Sequence, residues 1–406
     1  MRLQALAAGA LGGFAGLAAS AAHAQSVPAI EPVREWNVGV RAEAYYDNNI
    51  SRTAKSFVST RTLEREDYVF TPAVTASIVQ PFGRQAFFLN GDVGYVFHRN
   101  NPSLDRRRAK VTGGLGGLLG PCRPVAFGTY EAAQSDLATL DLGTSENLRE
   151  TTSVALGATC ARSAGVGAAV LVQRTDAKNS APSVETSDST TETAALSLIY
   201  SRPSLGALSV GFSYTDVEFP NRILPGRPVG DGFFSQSYFV SYERELGTKL
   251  SLGGNVGLTH LKREFAPPGV KQSFSSASYG LDLVYGLGRR IDLELHAARS
   301  ITPSQQVGKT FDKRTTADAS IRYEVGTRLA LTAGYSWQDI ESNADTASAL
   351  LVVTDARVDA IFGTVTFAPN ERLSLQLNVR HEEREANLPQ FTYSAVRVGL
   401  SAQTSF

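Results

Sequence analysis

From Trp36 to Phe406, apolar side chains recur mostly at every second position, the period of a strand, rather than at the 3.6-residue period of a helix. Leu373, Leu375, Leu377 and Val379 alternate with Ser374, Gln376, Asn378 and Arg380. Ile291, Leu293 and Leu295 alternate with Asp292, Glu294 and His296. Leu329, Leu331, Ala333, Tyr335 and Trp337 alternate with Ala330, Thr332, Gly334, Ser336 and Gln338. A soluble sandwich also alternates, but over strands of ~5–6 residues. Here a segment runs roughly 12 to 16 residues between connections, enough for a tilted strand to cross a bilayer. One apolar and one polar face over that length suit lipid on one side and water on the other.

The connections test this independently, because outer-membrane barrels have tight turns at one rim and longer loops at the other. Tight turns are expected at Pro81–Arg84, Gly120–Pro124, Ala161–Gly165, Pro203–Gly206, Glu245–Thr248, Gly286–Arg290, Gly326–Arg328 and Ala368–Glu371. Between them lie longer polar connections centred on Ser51–Glu66, Arg99–Leu104, Leu137–Glu146, Lys178–Ser187, Pro220–Gly232, Glu264–Lys271, Pro303–Lys309, Glu341–Val353 and Glu385–Pro389. Their strict alternation predicts an all-β fold, a transmembrane antiparallel up-and-down barrel of about eighteen strands with both termini at the tight-turn rim. About sixteen strands would remain if the Gly-rich stretch Val111–Leu119 and its neighbours formed none. Aromatics close both strand ends, with Tyr200, Tyr242, Tyr285, Tyr323 and Phe367 near the turns and Tyr46, Tyr95, Phe97, Tyr214, Tyr335 and Trp337 near the loops. Such rings form the two interfacial girdles of a membrane barrel.

The N-terminus is a separate matter. Arg2, the apolar run Ala5–Ala19 and the small-residue site Ala22-His23-Ala24 form a secretory signal peptide, residues 1–24. An uncleaved membrane anchor is the alternative. Residues 25–35 then make a short periplasmic lead, and 36–406 the barrel. No later stretch is apolar enough for a spanning helix. Composition sharpens the exclusions. With 39 basic and 39 acidic residues there is no basic surface to neutralise a phosphate backbone, so nucleic acid is not an expected partner. At 42 % hydrophobic, the chain is too apolar for disorder.

The polar strand faces carry small residues, as at Ser251, Gly253, Asn255, Gly257 and Thr259, which suit a hydrated lumen better than a packed core. Charged lumen candidates are Arg41, Glu43, Asp92, Asp282, Asp292, Glu294, Arg322, Glu324, Arg372, Arg380 and Arg397. Their mixed signs predict little ion selectivity; equally, they could pair across strands and only brace the wall. Tyr45, Phe88 and Phe239 fall on the same face and would offer rings for sugar stacking. No plug domain fits between strands, although Ser51–Glu66 or Glu341–Val353 could fold inward.

Cys122 and Cys160 fall at the turn rim of adjacent strands, and in an oxidising compartment they are expected to pair; two free thiols is the alternative. Chemistry is otherwise sparse. The histidines His23, His98, His260, His296 and His381 form no metal-binding spacing, and no G-x-S-x-G occurs, so neither a cofactor nor a metal is expected. His381-Glu382-Glu383 stands where a barrel hydrolase could keep a His–acid pair, but such a run is far more often a solvated rim.

The last strand alternates Val396, Val398, Leu400, Ala402, Thr404 and Phe406, and this ending resembles the signal that outer-membrane assembly machinery recognises. The first strand runs into Tyr46-Asp47-Asn48-Asn49-Ile50. A strand followed by this turn resembles the outer-membrane β-barrel porin family often found beside exopolysaccharide-export genes. The resemblance implies a uniform barrel without a plug, serving polysaccharide secretion with periplasmic export proteins as partners. Physically, Asp47, Asn48 and Asn49 read as a strand-capping turn, with a calcium or sugar contact as the alternative. The expected protein is therefore a pore or conduit for polar solutes in the outer membrane of a Gram-negative bacterium, its termini periplasmic. Its alternatives are a non-conducting barrel that docks export or assembly proteins and, third, a barrel hydrolase.

Overall fold

The computed structural model describes residues 33–56, 63–137, 143–223, 230–266, 271–344 and 352–406. The expected signal peptide, residues 25–32 of the lead and the middles of five long connections lie outside the described residues. Eighteen strands follow one another: β1 (Glu35–Asp47), β2 (Asp67–Phe82), β3 (Gln85–His98), β4 (Arg106–Gly117), β5 (Cys122–Leu137), β6 (Gly143–Cys160), β7 (Gly165–Asn179), β8 (Ser189–Arg202) and β9 (Gly206–Phe219) form one half. The other half is β10 (Asp231–Leu246), β11 (Leu250–Arg263), β12 (Ser273–Gly286), β13 (Ile291–Pro303), β14 (Lys309–Val325), β15 (Leu329–Ala344), β16 (Asp355–Phe367), β17 (Leu373–Ala386) and β18 (Tyr393–Ser405). Each pairs antiparallel with its sequence neighbours, and β1 pairs with β18 from Gly39↔Ser405 to Asp47↔Arg397, so the sheet closes. The Gly-rich segment is a full strand, β4, which settles the count. Closure leaves no sheet edge, the condition for strands to lie in hydrocarbon.

The turns alternate short and long as the sequence implies. Gly247 and Gly326 sit at φ 65° and 75°, in the left-handed region that lets a three-residue turn reverse direction. On the outer face of β8, Glu192 and Arg202 bracket Ala194, Leu196, Leu198 and Tyr200, of which Leu198 is 61 % exposed. Ten residues at ~3.4 Å rise, tilted ~40°, give about 25 Å, the height of the apolar band of a membrane barrel. No helix of the described chain is long and apolar enough to cross a membrane. Both aromatic sets share the outward parity of these leucines, one ring near each rim.

Candidate functional site

The inner face divides into two arcs. From β6 to β9 its middle is neutral and rich in hydroxyls: Ser153, Thr175, Thr193, Ser197, Ser213 and Thr215 follow one another across paired strands. Ser237, Thr259 and Ser278 continue the row through β10 to β12, where they are buried in the wall at 3 to 6 % exposure. Neighbouring hydroxyls bond across the ladder, Thr193 to Thr215 at 3.2 Å and Ser237 to Thr259 at 2.9 Å. Small side chains on strands of 14 to 18 residues leave the bore wide, and the half-buried hydroxyls of β6 to β9 leave it wet.

The other arc carries the charges. Arg41 pairs with Asp92 at 2.6 Å, Lys110 with Glu131 at 3.4 Å, Arg322 with Glu324 at 3.6 Å and Arg380 with Glu382 at 3.1 Å. His296 Nδ1 lies 2.6 Å from Asp282. Glu43, Asp292 and Glu294 share the inner parity, Asp292 directly opposite Arg322 in the ladder. Arg372 lies outside the strands, exposed in the turn before β17. The aromatic candidates face inward but offer no free ring. Phe88 and Phe239 are only 7 % and 8 % exposed, and Arg397 lies 4.5 Å from the centroid of Tyr45. Phe239 lies on Gly211, where any Cβ would overlap its ring, so it fills the wall instead of presenting a stacking face.

Two structures narrow the loop-side mouth. The first is the turn after β1. Asp47, with no exposed surface, takes Arg52 in a two-pronged pair at 3.0 and 2.9 Å and Arg397 at 3.1 Å, while the Asn49 N–H donates to its Oδ1 at 2.9 Å. The Asn49 side-chain amide donates to the carbonyls of Thr53 and Ser394, and Asn48 exchanges two bonds with Val396. The Asp-Asn-Asn run is thus a knot that ties the first loop to β18. Every polar group named here has a protein partner, which favours the capping turn over a calcium or sugar contact. Asp47 holds the buried Arg52 guanidinium firmly protonated, above its ordinary value, against the opposing effect of burial. Ile50, Leu63 and Leu104 pack beneath the loop.

The second is the β13–β14 hairpin. The β12–β13 ladder ends at Tyr279↔Arg299, while β13 and β14 stay paired as far as Pro303↔Phe311. Above Arg299 the hairpin parts from β12 and curls inward, while β14 stays paired with β15 as far as Lys309↔Ala344. Ile301 and Phe311, whose parity lower down is lipid-facing (Leu295, Ile321), are 3 % and 7 % exposed because they pack on Val217, Phe219, Phe233 and Leu261 of the inner wall. Phe274 stacks on Phe311 with centroids 3.9 Å apart. Arg222 holds the tip, donating to the carbonyls of Ser304 and Gln305 at 3.1 and 2.6 Å. Arg149 reaches Gln305 from β6, and Ser187 donates to its carbonyl. Burial pushes Arg222 down to about 10, so it stays cationic at neutral pH beside Asp231. The hairpin therefore roofs the top of the hydroxyl arc. The expected inward loops were Ser51–Glu66, which packs so in its described part, and Glu341–Val353, of which 345–351 lie outside the described residues. The connection at Pro303–Lys309 was not expected to do this, and its alternation alone could not have shown it.

Cys122 and Cys160 are ladder partners joined by a disulfide, their Cα atoms 3.9 Å apart, on the outer face at the turn rim. His381 pairs with Glu383 at 3.1 Å on the outer face of β17, away from the lumen. Among the described residues no cluster of His, Cys, Asp and Glu is placed to hold a metal.

The sequence matches no protein-family model and no curated protein. Among solved structures it is similar to the FrpB iron transporter of Neisseria meningitidis in its apoprotein form (TM-score 0.51, 12 % identity, over 86 % of this chain and 62 % of that one). It is similar to OccK2 (OpdF) of Pseudomonas aeruginosa, solved in complex with glucuronate (TM-score 0.50, 12 % identity, 92 % and 98 % covered). A BenF-like porin from Pseudomonas fluorescens Pf-5 aligns with TM-score 0.49 and 12 % identity over 92 % of this chain and 99 % of that one. The chain spans less than two thirds of the length of the iron transporter, and at these identities the likeness is one of fold: a closed antiparallel barrel.

Proposed function

We propose that the chain is an outer-membrane conduit for polar solutes, with uncharged carbohydrate as the solute class. The observation that supports this best is the hydroxyl arc. The half-buried Ser and Thr side chains of β6 to β9 can donate to and accept from sugar hydroxyls without charge, and at mid-height the charges of the opposite arc pair with one another. The Tyr46–Ile50 turn, through the family it resembles, supports a place in exopolysaccharide export. With the tight turns facing the periplasm, as in bacterial single-chain barrels, both termini are periplasmic and partners from an export assembly would meet that rim. Phe406, 77 % exposed at the end of β18, remains accessible as an assembly signal.

The roofing hairpin favours a second reading, a non-conducting barrel that docks periplasmic proteins. Purified protein in a planar bilayer separates the two. The conduit reading expects steady conductance that neutral oligosaccharides reduce by occupying the bore. A bilayer that stays silent with correctly inserted protein would leave the docking barrel.

A further inference from the structure

Mixed signs suggested a bore without electrical character, but the structure separates the signs along its axis. At the turn end the inner face of β10 and β12–β14 carries Glu243, Glu245, Asp282, Asp292, Glu294 and Glu324. Against these, the inner face at that level has Arg322, beside Glu324 and opposite Asp292, His296 on Asp282, and Arg123 on the far wall. The middle is balanced: Arg41 with Asp92, Lys110 with Glu131, Arg380 with Glu382. At the loop end the balance turns over. Arg149, Arg314 and Arg384 share the inner parity there, Arg314 on the hairpin itself, and Arg52 and Arg222 lie buried beneath the loops. Their acidic company is smaller: Asp47 meets both Arg52 and Arg397, Asp231 both Arg222 and Arg263, Glu382 both Arg380 and Arg52, and Asp312 stands two residues from Arg314 on the same face of β14.

The tight turns carry cations as well, among them Arg84, Lys249, Arg289 and Arg328. They stand beyond the bore in bulk water, where a Debye length of ~10 Å at 0.1 M salt screens them. Charges on the wall of a narrow, low-dielectric passage are screened less and set the local ion concentrations.

We infer that the bore is a bipolar passage, cation-rich at the turn end and anion-rich at the loop end, and that it rectifies ion current. This rests on the conduit reading. When the turn side is made positive, cations from the acidic end and anions from the basic end are both driven into the middle, and current is high. With the opposite polarity both are drawn out of the middle, and current falls.

The experiment is a current–voltage curve for purified protein inserted from one side of a planar bilayer, with orientation fixed by protease cleavage of the long loops from that side. At about 0.1 M KCl the currents at equal and opposite voltages should differ by about twofold or more, larger with the turn side positive, and at about 1 M the ratio should approach unity. Glu243→Gln, Glu245→Gln and Glu294→Gln together replace exposed side chains, so folding is spared, and the ratio at low salt should fall toward unity. Arg149→Gln with Arg314→Gln should do the same from the other end. A conducting pore with a symmetric curve at low salt, or one that rectifies with the opposite sign, overturns this inference and leaves the conduit intact. A pore that never conducts overturns both.

Discussion

Replacing Arg52 by Ala tests the knot at the end of the first strand. Arg52 is 6 % exposed and Asp47 not at all, so the substitution strands a buried carboxylate with only Arg397 and the Asn49 N–H. Breaking a buried pair by deleting one partner costs ~3–5 kcal/mol, and the remaining partners put this case near the low end. Arg52 also sits at φ 51°, a left-handed conformation that costs an L-residue ~1–2 kcal/mol. Arg52→Ala keeps that cost and loses what offsets it. Because the segment can open without the barrel unfolding, the readout must be local. Amide exchange at Asn49 and Arg52, whose N–H groups donate to Asp47 Oδ1 and the Asn49 carbonyl, reports it directly. A loss of ~3 kcal/mol raises the open population roughly 100-fold, with thermal unfolding of the barrel little changed. The double variant Asp47→Asn, Arg52→Gln removes both charges and should open less than Arg52→Ala alone. Exchange within about threefold of the wild type, or a double variant no better than the single, would refute the reasoning.

Other consequences can be checked in parallel. Arg222→Ala should free the β13–β14 tip, seen as faster exchange at Gln306 and Lys309 and a higher single-channel conductance; unchanged exchange would mean that the apolar packing of Ile301 and Phe311 suffices. Alkylation should label no cysteine before reduction and both after it, and Cys122→Ser with Cys160→Ser should cost at most ~4 kcal/mol by the chain-entropy relation for a separation of 38 residues. Leu198→Arg, on the lipid face, should lower stability in vesicles by ~2–4 kcal/mol, whereas Thr193→Arg, half-buried on the inner face of the same strand, should be tolerated; equal losses would contradict the assignment of faces. Gly211→Val forces a side chain into the Phe239 ring and should cost ~1–3 kcal/mol, read by urea unfolding.

The barrel was legible because period-two alternation and the sequence of short and long connections are both local properties of the chain. The same arithmetic placed Cys122 opposite Cys160, since antiparallel partners keep a constant sum of residue numbers. Parity also put Arg41, Asp92 and Arg397 on the inner face, but it says nothing of height or partner. That is why the axial separation of charge was hidden in a list of mixed signs. The hairpin was hidden for a stronger reason: Ile301 and Phe311 keep the outward parity of their strands and become buried only because the wall bends. Nor could parity show that Phe88 and Phe239 would be covered, since that depends on neighbours such as Gly211. The roles of Arg52 and Arg222 lie in loops, where no periodicity exists and only the fold brings Asp47 and Ser304 to them.

The proposed path of an uncharged solute is the hydroxyl arc, and liposome swelling measures passage along it most directly. Vesicles carrying the wild type should swell in a neutral oligosaccharide. Thr193→Trp with Ser213→Trp, which obstructs the hydroxyl arc, should slow that entry severalfold. Thr364→Trp with Gln376→Trp, an equal obstruction on the inner face of β16 and β17, should slow it far less. Equal slowing by the two pairs, or swelling that neither affects, would contradict the account.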